Sequence, residues 1–263
     1  VFFNPAGMTY LSGKQALIAV SLIKPEAKFS NNGSINGSPL NPLGSANGGD
    51  AGDLAIVPAT YFTMQLTPAL SLGLGINAPF GLVSEYDGGW IGRFQGLKSE
   101  IKTINLNPAV SWKAADAIAI GFGANYQKMD GTFTSNVNYS GVLFDQALHS
   151  GLFTQAELGA IAAGTAGLVS DAKVEGSDHA WGWNLGVLID LDKASRVGLQ
   201  YHSAVKYTLS GNAEFANPAL PAVSGLSPTA AAKLGAVAAG VNGSALYDSG
   251  ITSQVELPAI VNL

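Results

Sequence analysis

The sequence predicts an all-β protein, a transmembrane antiparallel up-and-down β-barrel with short helices in its loops. Three observations point there. First, several stretches alternate with period two, with one greasy face and one small or polar face. In 104–113 Ile104, Leu106, Val110 and Trp112 oppose Asn105, Asn107, Ala109, Ser111 and Lys113; in 118–127 Ile118, Ile120, Phe122, Ala124 and Tyr126 oppose Ala119, Gly121, Gly123, Asn125 and Gln127. Second, connections alternate long and short along the chain, which puts every long loop at one rim, as in outer-membrane barrels. A soluble sandwich, the rival reading, has no reason to sort its loops. Third, only 12% of residues are charged, against about 25% in ordinary domains, and mean hydropathy is +0.24. Yet no apolar run approaches the roughly 20 residues of a spanning helix; ALIAVSLI, eight residues broken by one serine, is among the longest.

In chain order, Gln15 to Phe29 is expected as the first strand and is followed by an aperiodic loop rich in Asn, Gly, Ser and Pro. Leu54 to Thr67 forms the second. A turn at Thr67 and Pro68 leads to the third, where Leu70, Leu72, Leu74 and Ile76 oppose Ser71, Gly73, Gly75 and Asn77. NAPFG then interrupts, because Pro79 has no N–H to donate and Gly81 weakens pairing. After the hairpin, an insertion is expected over about 131–178. Trp181 to Asp190 and Val197 to Leu209 follow as strands around a turn at Asp192 to Ser195, and by parity His202 and Lys206 point inward. A second insertion spans about 211–250, and ITSQVELPAIVNL begins a last strand, for seven or eight strands in all. Trp112, Tyr126, Trp181, Trp183, Tyr201 and Tyr207 fall on the apolar face, as an interfacial aromatic girdle requires.

Both insertions carry helix signals. Thr154 and Glu157 fit a capping box, and Ser227 with Pro228 opens an Ala-rich helix ending near Gly240. Their apolar residues, Leu148, Leu152, Phe153, Leu158, Ile161 and Leu234 among them, either pack together over the barrel mouth or form a groove for an apolar molecule. Other chemistry finds little support. There is no cysteine, so no disulfide or thiolate site. His149, His179 and His202 show no metal spacing, and no cofactor is expected. His149–Ser150 and His202–Ser203 lack an orienting acid, and neighbours on a strand point apart, which argues against hydrolysis. A net charge of −5 gives no reason to expect nucleic-acid binding. The opening VFFNPAGM has no signal-peptide pattern and does not look like a natural start, so a fragment is expected.

NPAGM (Asn4 to Met8) resembles the segment that ends the N-terminal plug of the outer-membrane long-chain fatty-acid transporter family (FadL-type), part of which carries aromatic hydrocarbons. NAPFGLVSEYDGGWIGR, INLNPAVSWKAADAIAIGFGANY and WGWNLGVLIDLDKASRVGLQYHSAVKYTLSG are similar to its third to seventh strands, and Leu257 to Ala259 to the start of the next. The resemblance implies residues 1–10 as the plug's end and 11–263 as part of a barrel of about 14 strands. As an incomplete barrel with open edges, these residues alone are not expected to transport. It further implies a monomer in the outer membrane of a Gram-negative bacterium, in contact with lipid and lipopolysaccharide. Fatty acids or other hydrophobic compounds would be captured at the loop groove and released sideways through a kinked wall. Asn4, Pro5 and Ala6 match the plug segment that contacts the kink; Asn77, Pro79, Phe80 and Gly81 match the kink; Gly186 matches a glycine beside the exit, where a larger side chain would obstruct passage. A family arginine that meets the carboxylate falls near Ser135, so that contact has no match; Lys206, Arg93 and His202, or a residue in the missing half, are the candidates to replace it, and a neutral ligand such as an aromatic hydrocarbon is the alternative. A purely structural barrel or adhesin is the remaining rival.

Overall fold

A computed structural model describes residues 1–35, 40–42 and 46–263. A single antiparallel sheet carries the chain. Its strands are β1 (Lys14–Ile23), β2 (Ala55–Thr67), β3 (Leu70–Asn77), β4 (Gly81–Glu85), β5 (Lys98–Ala115), β6 (Ile118–Val137), β7 (Ser170–Asp190), β8 (Arg196–His202), β9 (Val205–Ala216), β10 (Ser249–Leu257) and β11 (Ile260–Asn262). They occupy eight lanes, because β4 continues β3 along β5, β9 continues β8 along β7, and β10 with β11 form one lane beside β9 and β8. Sequential lanes pair up and down, and no ladder joins β1 to β11 among the described residues.

The two faces are inverted relative to a soluble sheet. Leu72, Leu106, Trp112, Ile120, Phe122, Trp183 and Leu199 are exposed, whereas Ser71, Thr103, Asn105, Asn107, Ser111, Asn125, Gln127 and Asn184 are buried. The buried face is covered by the chain's first residues, which form a 3-10 helix at Pro5–Tyr10, and is called the inner face here. A greasy outer face and a polar inner one are the signature of a membrane barrel. Short turns gather at one rim, and their residues explain them. Thr67 Oγ1 accepts from the amides of Ala69 and Leu70. Asp192 Oδ1 accepts from Ala194 and Ser195 at 2.7 and 2.8 Å, which holds its carboxyl below the usual range.

At the other rim the strands outrun the sequence expectation. β6 and β7 stay paired as far as Val137↔Ser170, so the first insertion is 138–169 and not 131–178. β9 and β10 likewise shorten the second to 217–248. The extra length reads DGTFTSNV against SDAKVEGSD; it lacks greasy alternation because it lies beyond the apolar band, where the ladder needs only backbone. β1 is shorter than expected, ending at Ile23 because Pro25 cannot donate. Part of the loop that follows lies outside the described residues.

Helices α1 (Tyr139–His149), α2 (Gln155–Gly164) and α3 (Pro228–Gly240) fill the two insertions. Asn138, Thr154 and Ser227 cap them. In the Thr154–Glu157 capping box, the Thr154 amide holds the Glu157 carboxyl below its ordinary value. The helices pack on one another: Tyr139, Leu143, Leu158, Ile161, Leu234 and Val241 form one buried cluster. Of the six residues expected in a surface groove, Leu158, Ile161 and Leu234 are therefore core, because the three short helices turn their apolar faces onto one another and onto Leu168, Phe215, Leu220 and Val223. Leu148 and Leu152 remain exposed and Phe153 half-buried. Ile161→Ala is expected to cost the helical cap about 2–5 kcal/mol, and Leu148→Ala about 0.5 kcal/mol or less. Hydrogen exchange checks this: the first substitution should deprotect α1–α3 and leave β5–β7 unchanged.

Candidate functional site

The inner face is built to seat the N-terminal segment. Ala6 and Met8 are fully buried there. A Cβ at Gly121 would collide with the backbone of Pro5 and Ala6, and one at Gly186 with the Asn4 amide and the Pro5 ring. Glycine at these inward positions thus supplies room for close approach. Asn4 clamps the segment: its Nδ2 donates to Val187 O and Leu199 O on β7 and β8 at 3.4 and 3.3 Å, while its Oδ1 accepts from Ala6 N at 3.1 Å. At the helix's far end Tyr10 donates to Asp190 at 2.9 Å, and the Arg196 guanidinium lies 3.7 Å from its ring centroid.

Four asparagines tie the segment to the wall. Asn184 Nδ2 donates to Phe2 O at 2.8 Å, and Asn125 Nδ2 donates to Asn184 Oδ1 at 3.1 Å. Asn105 Nδ2 then donates to Asn125 Oδ1 at 3.1 Å and to Asn77 Oδ1 at 3.0 Å. All four are buried. The row begins at the segment and ends on the last residue of β3, where the wall breaks. There the three residues 78–80 face only two, 103 and 104, between the pairs Asn77↔Asn105 and Gly81↔Lys102. Thr103 bridges the bulge, its Oγ1 accepting from Phe80 N and donating to Phe80 O. Among the gating residues read from the sequence, Asn4, Pro5, Ala6 and Gly186 come together at the seat, while Asn77, Pro79, Phe80 and Gly81 make the break. The sequence reading missed Asn105, Asn125 and Asn184. Asparagine at inward positions of three adjacent strands was the available signal, and it needed the register to become a row.

A cavity of ≈170 Å³ lies beside this row. Phe2, Phe3, Phe80, Val205 and Leu257 give it apolar walls, with Asn125, Gln127, Gln200 and His202 as polar ones. His202 sits against Phe2, ring centroids 4.8 Å apart, with Nε2 3.3 Å from Phe3 O. Above it Met129, Ala180, Val205, Tyr207 and Leu209 form an apolar inner cluster, and Tyr207 donates to Gln127 Oε1 at 2.8 Å.

Two of the three expected carboxylate partners stand elsewhere. Lys206 points outward, highly exposed and 3.7 Å from Glu256. The strand expected over 197–209 breaks at Ser203 and Ala204, and the extra residue reverses the parity of everything after it. Tyr207 turns inward for the same reason and leaves the outer aromatic row. Arg93 lies in the β4–β5 connection, its guanidinium donating to Pro42 O at 3.0 Å and to Trp90 O. Only His202 of the three lines the cavity.

A family model described as outer membrane protein transport protein (OMPP1/FadL/TodX) matches residues 1–263. Outer membrane protein P1 of Haemophilus influenzae is 32% identical over 156 residues, 57% of this chain and 34% of that protein. The long-chain fatty acid transport protein of Escherichia coli is 28% identical over 183 residues, 68% of this chain and 41% of that protein. The chain thus spans less than half the length of these relatives. A Pseudomonas aeruginosa FadL homologue has the same fold with a TM-score of 0.69 at 20% identity, covering 98% of this chain and 58% of the other. The Pseudomonas putida toluene transporter TodX does so at 0.55 and 15%, covering 97% and 58%. With the family model spanning every residue and the strand wall turned greasy side out, the chain belongs to the FadL/TodX family, transport proteins of the Gram-negative outer membrane rather than enzymes.

Proposed function

We propose that the protein of which these residues are part carries hydrophobic small molecules through the outer membrane, holding them in the inner cavity and releasing them sideways through the wall. The observation that carries this is the cavity itself, flanked by the N-terminal segment on one side and by Pro79 and Phe80 of the wall break on the other. The rim with the long loops faces outward, and the exposed Leu148 and Leu152, with Phe153, are what remains of a capture surface. Lipid and lipopolysaccharide surround the greasy outer face, and the protein works as a monomer.

The asparagine row supports a coupling of segment to exit. A cargo that displaces Phe2 breaks the bond from Asn184, and the loss passes along amides whose alternatives inside the wall are few. An unpaired buried amide costs about 1–3 kcal/mol, enough to shift a marginal bulge. Asn125→Ala should therefore lower hydrogen-exchange protection at Phe80 and Gly81 in the complete protein, with strand pairing at β6–β7 retained; unaltered protection there would remove the coupling.

Two observations favour aromatic hydrocarbons over long-chain fatty acids. The cavity is close to the roughly 150 Å³ that accepts one benzene in an engineered apolar site. Among the described residues its lining holds no Lys or Arg, so a carboxylate would meet amides, the Ser203 hydroxyl and an imidazole but no cationic side chain. Cells expressing the complete protein are expected to take up toluene several-fold faster than control cells, and oleate little faster; the reverse ranking would restore the fatty-acid reading. Gly186→Glu should abolish uptake of either while the barrel folds, because its side chain must occupy the seat of Asn4 and Pro5.

A further inference from the structure

The wall has a second break, wider than the first. Between the pairs Asn184↔His202 and Ser177↔Ser210, six residues of β7 (178–183) face seven of the neighbouring lane (203–209). The adjoining lane breaks in step, with Pro258 and Ala259 opposite Ser203 and Ala204. Where a ladder would run, three bonds stand in: Ser203 N donates to Trp183 O at 2.9 Å, Trp183 N to Ser203 Oγ at 2.9 Å, and Thr208 N to Asp178 Oδ2 at 2.6 Å. Between Ser203 and Thr208 no ladder pair spans the seam among the described residues, and side-chain packing closes it. A Cβ on Gly182 would lie 2.7 Å from Val205 Cγ2, so the Val205 side chain rests on the bare backbone of β7.

The register places both breaks in one row. Thr103 pairs with Met129 and Met129 with Asp178; Ile104 pairs with Lys128 and Lys128 with His179. On the outer face this row divides the greasy band, ending at Tyr126, Trp181 and Trp183, from the ion pairs Lys128–Asp130 and Lys102–Glu100. Aromatic residues mark the depth of the lipid headgroups, where unpaired backbone is tolerated far better than in hydrocarbon. The cavity reaches this second break more fully than the first: His202, Ser203, Val205, Leu257, Pro258 and Ile260 line it, against Pro79 and Phe80.

We propose that the seam between β7 and β9, with Gly182 and Val205 at its narrowest point, is a second lateral opening of the cavity for small apolar or aromatic molecules. Swinging the Val205 side chain off Gly182 parts an apolar contact, whereas opening the first break must disturb the two-way bond of Thr103 with Phe80. The inference rests on the reading above, that cargo held in the cavity leaves sideways, and the test separates the two. These residues contain no cysteine, so paired cysteines can staple each seam in the complete protein: Gly182→Cys with Val205→Cys for the second, Phe80→Cys with Thr103→Cys for the first. The probe is radiolabelled toluene taken up by cells, with the staple oxidised and then reduced by dithiothreitol. The second staple is expected to lower uptake about twofold, as the loss of one of two comparable parallel paths requires, and both staples together to abolish it, each reversibly. A second staple without effect, or an effect that reduction does not reverse, overturns the second opening even where the first staple blocks uptake. Uptake unchanged with both staples oxidised would instead remove the sideways exit altogether.

Discussion

In a wall that faces hydrocarbon, each backbone N–H and C=O has to find its partner inside the wall, because the surroundings offer none. The structure follows from that constraint. It fixes the long, regular pairing of β5, β6 and β7, and it frees the side chains of their usual arrangement, since the outer face needs only to be greasy and the inner face only to be filled. It also gives any interruption of the ladder a meaning. Both bulges lie where the greasy band gives way to aromatic rings and ion pairs, and both border the same cavity. An interruption at the level of Leu72 or Ile120 would have left polar groups in lipid.

The filling of the inner face is the second dependency. A wall of this kind could be lined by large side chains or by water. Here the N-terminal segment fills it, and glycine at 121 and 186 is what lets Pro5, Ala6 and Asn4 come so near. The segment is held by directional bonds at Asn4, Phe2 and Tyr10 and by burial of Ala6 and Met8, which together fix it in place yet leave Phe2 and Phe3 facing the cavity. The segment and the wall break are thus joined by a short physical route, four amides long.

Much of this was legible in the sequence, for reasons that differ from residue to residue. The hairpin around Asp116 could be read because alternation is strongest where one face meets lipid. The Asp192 turn and the Thr154–Glu157 cap are local chemistry, complete within three or four residues. The extensions of β6 and β7 were not legible, since strand beyond the apolar band carries no hydrophobic period. Lys206 was misplaced because parity was counted straight through Ser203 and Ala204; a bulge leaves no mark in the alternation, only a reversal after it. Leu158, Ile161 and Leu234 were apolar in loops, and only the packing of three helices could show that they satisfy each other.

The outward turn of Lys206 changes the electrostatics of the inner space. Had the strand continued without its bulge, an ammonium would have pointed into the cavity near His202, suited to a carboxylate. The extra residue instead brings in Val205, Tyr207 and Leu209, and Lys206 joins Glu256 outside. Among the described residues, the polar groups around the cavity are amides, the Ser203 hydroxyl and an imidazole whose Nε2 lies toward Phe3 O, beside aromatic edges. Such groups can orient a weakly polar molecule through dipoles and ring contacts, but they cannot offset the desolvation of an ionised head. One inserted residue in the wall thus interrupts the ladder beside Gly182 and keeps an ammonium out of the space behind it, and the proposed uncharged cargo rests on both.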